Sequence, residues 1–263
     1  MKRIAIYACY SKENKVEDYV IYYLNELKKI ADVVIVYDNS LDEDSIEQLR
    51  NYTIHGIFTN HNMYDFGSYK IGIEWLVNNG LIQKYDSLIL CNDSVFGPFY
   101  PFENYFKTME SKRNVDFWGF IKYQYNRKLA ERLDVIHFEH IQSYFIVLNK
   151  CIISDFNFFN FFKLVTKEES NRDVIKKYEI GLSQFLYKLG YKSDGIFVTD
   201  KDLLYSKNKT LKRIKKGFPF LKKKFFTMSP NNFSYYQNKY QKIKRTISPY
   251  SMDLIDIVID HKE

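Results

Sequence analysis

Four short apolar runs, each ending in a knot of small polar residues, set the strongest limit on how this chain can fold. Residues 4–10, 33–37, 56–59 and 87–91 are the runs, and Tyr10-Ser11, Asp38-Asn39-Ser40, Asn60-His61-Asn62 and Asn92-Asp93-Ser94 close them. Continuous apolar runs of this length suit strands buried on both faces of a parallel sheet. The segments between them have helical character. Val16, Val20, Tyr23, Leu24, Leu27 and Ile30 share one face of a helix over 16–30, a short helix is predicted over 45–51, and another over 68–79 stops at Gly80. A β-α-β-α-β-α-β order implies right-handed crossovers, hence an α/β fold with a mostly parallel central sheet flanked by helices.

The second half is less regular. Strands are predicted at 116–121, 143–149 and 196–199, with a helix over 173–189 ended by Gly190. The aromatic stretch 151–165 has the mixed helical spacing of packing residues. Beyond Asp200 the pattern weakens into a basic tail. The expected organisation is one domain over 1–200 and a basic, aromatic-rich helical extension over 201–263, packed on the domain or docking to a membrane.

The chain has 263 residues, 46% hydrophobic and 27% charged, an ordinary globular balance able to bury a large core. No run approaches the roughly 18 apolar residues of a membrane span. The N-terminal run is too short for a signal peptide, and Cys9, Cys91 and Cys151 sit apart in apolar runs as core residues. A reducing, cytoplasmic location is the expectation. The net charge of +7 is concentrated between Lys201 and Lys224. That stretch suits a solvated face, an anionic membrane surface or, least well, nucleic acid, so no nucleic-acid partner is expected.

Parallel strands would bring the four polar knots to one sheet edge, where α/β proteins bind ligands. Asn92-Asp93-Ser94 offers one carboxylate and two small oxygen-bearing side chains. That set suits a hard cation on a diphosphate, and equally an Asx turn. Neither the dinucleotide glycine fingerprint nor the P-loop is present. Between the third run and the next helix, Gly67 permits close backbone approach. Lys70 falls in the first helical turn, where the helix dipole disfavours a cation unless it faces a diphosphate; Asp65 or Ser68 could equally cap the helix. His140 and Gln142 precede a strand, in a polar loop with Asp134, His137 and Glu139 that could form an acceptor or metal site.

The stretch Tyr64-Asp65-Phe66-Gly67-Ser68-Tyr69-Lys70-Ile71-Gly72 resembles the rhamnan synthesis protein F family. So do Tyr85 to Phe99, His140 to Phe145, Tyr178 to Ser183 and Gly217 to Lys222. The resemblance runs over roughly residues 1–225. It implies a GT-A-like, Rossmann-related glycosyltransferase that builds bacterial rhamnose polysaccharides, O-antigens or capsules. The donor would be a nucleotide-diphosphate sugar and the acceptor a lipid-linked or oligosaccharide glycan. It further implies that Asp93, with Asn92 and Ser94, occupies the place of the metal-binding Asp-x-Asp motif, with Mg²⁺ or Mn²⁺ as cofactor. Lys70 would assist at the diphosphate. Tyr10, Asp38, Tyr64, Asp65, Gly67 and Gln142 would contact the nucleotide sugar. Glu179 would be the general base of an inverting transfer and His140 a catalytic contact. The alternative is a non-catalytic glycan- or nucleotide-binding module of the same fold, since Asp93 is the only acid in its motif.

Overall fold

The computed structural model describes residues 1–200 and 212–224. The tail residues Lys207 and Lys209, and everything from 225 onward, lie outside the described residues.

Eight strands form the central sheet. The first half alternates β1 (Arg3–Cys9), α1 (Asp18–Leu27), β2 (Asp32–Tyr37), α2 (Glu43–Leu49), β3 (His55–Phe58), α3 (Tyr64–Asn78) and β4 (Ser87–Asn92). After β5 (Val95–Phe96) and α4 (Phe102–Glu110) come β6 (Phe117–Tyr123), α5 (Arg127–Leu133), β7 (His140–Ile141) and β8 (Phe145–Asn149). Then follow α6 (Lys150–Ile153), α7 (Phe156–Lys163), α8 (Asn171–Val174), α9 (Gly181–Lys188), β9 (Ser193–Thr199) and β10 (Leu221–Lys222). The sheet order is β3-β2-β1-β4-β8-β6-β7, with β9 on the other edge of β6. Strands β1 to β4 are mutually parallel; β8 lies antiparallel between β4 and β6, and β6 pairs β9 in parallel.

Period-two alternation sorts the strand side chains into two cores. Ala5, Tyr7, Ile35, Ile89, Phe145 and Phe120 face α1 and α4; Ile4, Ile6, Val34, Leu88, Leu90 and Ile146 face α3, α7 and α9. Burial on both faces explains why these strands are continuous apolar runs. Within the aromatic stretch 151–165, Phe158 and Phe162 are packing residues buried against α3, whereas Phe156 and Cys151 are exposed.

Three features go beyond the sequence reading. Helix α3 starts at Tyr64, with Asn62 and Tyr64 both left-handed at φ 56°. Between α8 and α9, residues Ile175–Ile180 form a π-helical segment, an insertion common at functional sites. And the segment from Ile214 to Leu221, at the start of the basic tail, belongs to the first core. Phe218 and Phe220 are buried there, and Phe220 packs on Phe120 at 4.8 Å and Tyr144 at 5.5 Å. Strand β10 pairs antiparallel with β5, Leu221 opposite Phe96 and Lys222 opposite Val95. Among the described residues no helix is long and apolar enough to cross a membrane.

Candidate active site

The four polar strand ends do meet at one sheet edge, where they line a cleft of about 960 Å³. Tyr10, Asp38, Tyr64, Asp65, Asn92, Asp93, Ser94, His140, Gln142 and Glu179 all contribute to its wall. Two expected residues do not. Lys70 turns away and donates to the carbonyls of Lys163 and Val165, at 3.3 and 3.0 Å. Because α3 starts at Tyr64, Lys70 falls in its second turn, and its ammonium finds backbone oxygens of a neighbouring segment rather than the cleft. Gly67 packs on His61 and Met63, where an added Cβ would come within 2.7 Å of His61 Nδ1 and 2.3 Å of Met63 Cβ. Its smallness serves loop packing, not ligand approach.

At the rim of the cleft, Tyr10 and Tyr64 are both exposed. Asp38 accepts from the Asn62 backbone N–H at 2.7 Å and lies 3.4 Å from His61 Nδ1. His61 Nδ1 accepts from the Met63 N–H at 3.0 Å, which leaves Nε2–H to donate to Ser68 Oγ at 2.9 Å. These bonds fix the left-handed loop that carries Tyr64 to the rim.

In the middle, Asn92 organises its neighbours. Its amide donates to Asp65 Oδ2 at 2.8 Å, and its carbonyl oxygen accepts from Ser94 N and Ser94 Oγ at 3.1 and 2.6 Å. Asp93 is not free for a cation. Its Oδ2 lies 3.1 Å from both Lys223 Nζ and Tyr19 OH. Lys222 reaches the same corner, donating to Ser94 Oγ at 3.0 Å and lying over the Tyr144 ring at 4.5 Å. A hard divalent cation on a diphosphate needs at least one or two uncommitted protein carboxylates, with phosphates and waters completing its shell. Here one carboxylate, already ion-paired, stands beside two ammonium groups, and among the described residues no three His, Cys, Asp or Glu side chains cluster in a metal-holding group. The residues present do not fit a divalent cation at Asp93.

The floor of the cleft is a break in a strand. β7 and β8 both run along β6, interrupted at Gln142-Ser143-Tyr144. Side chains and neighbouring strands take up the backbone groups of the break, as buried backbone requires. The Tyr69 hydroxyl donates to the Ser143 carbonyl at 2.9 Å, Gln142 N–H to Ile121 O at 3.1 Å, and Ile141 N–H to Ser183 Oγ at 3.0 Å. Glu179, carried by the π-helical segment, accepts from the Ser143 N–H at 3.0 Å and from its hydroxyl. Its other oxygen is 3.5 Å from His140 Nε2, while His140 Nδ1 donates to the Phe138 carbonyl.

The two floor carboxylates are driven apart in acidity. Burial pushes the Asp65 carboxyl up, helped by the nearby Glu179 charge, to about 6. Burial also acts to raise Glu179, but the His140 hydrogen bond and charge and the two Ser143 bonds outweigh it and hold the carboxyl down to about 2. Proton-transfer catalysis works best near the operating pH. By that measure Asp65 is the carboxylate that titrates nearer neutral pH and Glu179 stays ionised, whereas the expectation had Glu179 as the base and Asp65 at the nucleotide sugar.

The surrounding loop is engaged elsewhere: Asp134 pairs with Lys176 at 2.8 Å and Glu139 with Lys122 at 2.9 Å. His137 is exposed and does not line the cleft. What the sequence reading missed are Lys222 and Lys223. The Gly217 to Lys222 stretch carries part of the family resemblance, but only the pairing of β10 with β5 brings Lys222 to Ser94 and the next residue, Lys223, to Asp93.

A mostly parallel α/β sheet with one antiparallel insertion, and a polar cleft at its strand ends, defines a Rossmann-related, GT-A-like protein. The model of the rhamnan synthesis protein F family matches residues 33–261, and the chain belongs to that family. It is 27% identical over 213 residues to the uncharacterized protein y4gN of Sinorhizobium fredii, covering 81% of this chain and 53% of that protein. It is 25% identical over 206 residues to virulence protein VirA of Vibrio anguillarum, covering 70% of this chain and 65% of that one. The chain therefore spans between half and two thirds of the length of these relatives. Among solved structures, one described as a nucleotide-diphospho-sugar transferase from Desulfovibrio desulfuricans aligns at TM-score 0.45 and 14% identity, covering 94% of this chain and 99% of that one. The mannosyltransferase Ktr4p of S. cerevisiae aligns at TM-score 0.41 and 7% identity, covering 63% and 60%.

Proposed function

We propose that this protein is a glycosyltransferase that moves a hexose, rhamnose among the candidates, from a nucleotide-diphosphate sugar to a growing bacterial surface polysaccharide. Family membership supports the class, and one observation supports the chemistry: two carboxylates on the cleft floor, Asp65 and Glu179, with acidities pushed in opposite directions. Such a split separates the roles of neighbouring acids.

Tyr10, Tyr64 and Asp38 hold the nucleoside at the rim. The acceptor hydroxyl oxygen attacks the anomeric carbon; the bond from that carbon to the diphosphate oxygen breaks, and its electron pair leaves with the nucleoside diphosphate. Asp65 takes the hydroxyl proton, a role worth roughly 10²- to 10⁴-fold in rate. Glu179 stays ionised, anchors Ser143 and orients His140, and its charge keeps Asp65 basic. Direct displacement of this kind inverts the anomeric centre. The acceptor is a lipid-linked or oligosaccharide glycan, approached from a membrane surface through basic residues of the tail.

The test is a turnover screen across UDP-, GDP- and TDP-sugars with a glycan acceptor, on the intact chain and its Asp65→Asn variant. Turnover with at least one donor, falling 100-fold or more in the variant, is the expected result. Binding of donors without transfer or hydrolysis would return the chain to a binding module.

A further inference from the structure

We infer that Lys222 and Lys223 replace the divalent cation and hold the donor diphosphate directly, so that the transferase works without metal. The inference rests on the glycosyltransferase reading above and concerns the ligand chemistry of the Asn92-Asp93-Ser94 corner.

Three observations carry it. First, both lysines are delivered to this corner by ordered backbone. β10 pairs with β5, the Lys223 N–H donates to the Ser94 carbonyl at 3.0 Å, and the Phe99 N–H donates to the Pro219 carbonyl at 2.8 Å. The approach needs a glycine at residue 97: its φ is 143°, and a Cβ there would sit 2.3 Å from the Pro219 oxygen.

Second, the ammonium groups are aimed. Lys222 is fixed by Ser94 Oγ and the Tyr144 ring, Lys223 by Asp93, the Tyr19 hydroxyl and the face of the Tyr19 ring at 4.4 Å. An ammonium has three N–H donors, so one bond to Ser94 does not exhaust Lys222. Lysine is a strong point-charge partner for phosphate.

Third, the charge matches the task. A divalent cation supplies two positive charges beside the leaving diphosphate, and so do two lysines. Burial pushes the Lys222 ammonium down, and the nearby carboxylates of Glu179, Asp65 and Asp93 act against that; a bound diphosphate would add further negative charge beside it. A metal ion added here would meet two like charges and a single carboxylate already in use.

Calorimetric titration of the intact chain with UDP, GDP and TDP, and with the matching monophosphates, tests this in EDTA and again with Mg²⁺ or Mn²⁺. We expect one diphosphate to bind in EDTA, with its Kd changing less than threefold on adding metal. Lys222→Gln and Lys223→Gln should each weaken the diphosphate roughly 10- to 100-fold, the scale of a lost charge-assisted hydrogen bond, and leave the monophosphate within a few-fold. Lys222→Arg and Lys223→Arg keep the charge and should retain binding, which separates loss of charge from loss of fold. Binding only with metal, or undiminished in both Gln variants, overturns the lysine pair and leaves the transferase reading standing. Absence of binding by every nucleotide in every condition, together with no turnover, removes both.

Discussion

The Asp65 and Glu179 carboxylates show how neighbouring acids on one floor acquire different jobs from their hydrogen bonds. Glu179 receives two donors from Ser143 and faces His140; Asp65 receives the Asn92 side-chain amide and the Phe66 backbone N–H, which do not offset its burial. In kinetics, kcat/KM should rise with pH along a limb of apparent pKa near 6, and the limb should vanish in Asp65→Asn, as pH-rate profiles would reveal. In stability the two groups act with opposite sign. The folded acidity of Glu179 lies below its unfolded value, so its contribution is present above about pH 4.5 and is lost as pH falls toward 2. That of Asp65 is raised, so ionising it costs stability as pH climbs from about 4 through 6. The pair therefore stabilises the fold most between those windows, near pH 4 to 5. Urea midpoints against pH should show Asp65→Asn gaining on the parent as pH climbs from about 4 through 6, by about 1–3 kcal/mol once above that window. Glu179→Gln should lose a similar amount at neutral pH, most of it from the Ser143 strand break left under-bonded.

At the scale of elements, β10 decides most. Phe220 fills the centre of the first core, so Phe220→Ala should cost about 3–5 kcal/mol, measurable by denaturant titration. Gly97→Ala should lift β10 from β5, lowering the thermal midpoint and diphosphate affinity together. These elements also mark where the sequence was readable. The first four strands and three helices were legible because double burial makes continuous apolar runs and their polar ends are turn chemistry. The convergence of Tyr10, Asp38, Asn62 and Asn92-Asp93 followed from that parallel order, while Asp65, on α3, came only with the family resemblance. Helix α4 was missed, although Phe102, Phe106 and Met109 have helical spacing. The π-helical segment was not legible, since Ile175–Ile180 carries no local pattern that distinguishes an i→i+5 turn from an α-turn. Lys70 misled because a helix starting at 68 would put a cation in its first turn, whereas α3 starts at Tyr64 and the partners of Lys70 are carbonyls 93 and 95 residues away in sequence. Lys222 and Lys223 looked like two more members of a basic run; only a pairing across more than 120 residues sets them apart.

For the whole molecule, the cleft is assembled from parts distributed between Ala8 and Lys224. Chain cut after Asp200 would lose Ile214, Phe218, Phe220 and Leu221 from the first core. Such a product should unfold at a lower temperature and with a shallower transition than the intact chain, as calorimetry would measure, because an apolar surface built to be covered is opened to water. The pairing of β10 with β5 also has a consequence in time. Chains are made from the N-terminus at roughly 5–20 residues per second, and domains fold as they emerge. Asp65, Asp93 and Glu179 leave the ribosome before either lysine, so for seconds the nascent cleft is an acidic hollow that repels a diphosphate. Under the proposed lysine pair, affinity for a diphosphate should appear only when β10 docks on β5, which makes nucleotide capture a reporter of that pairing.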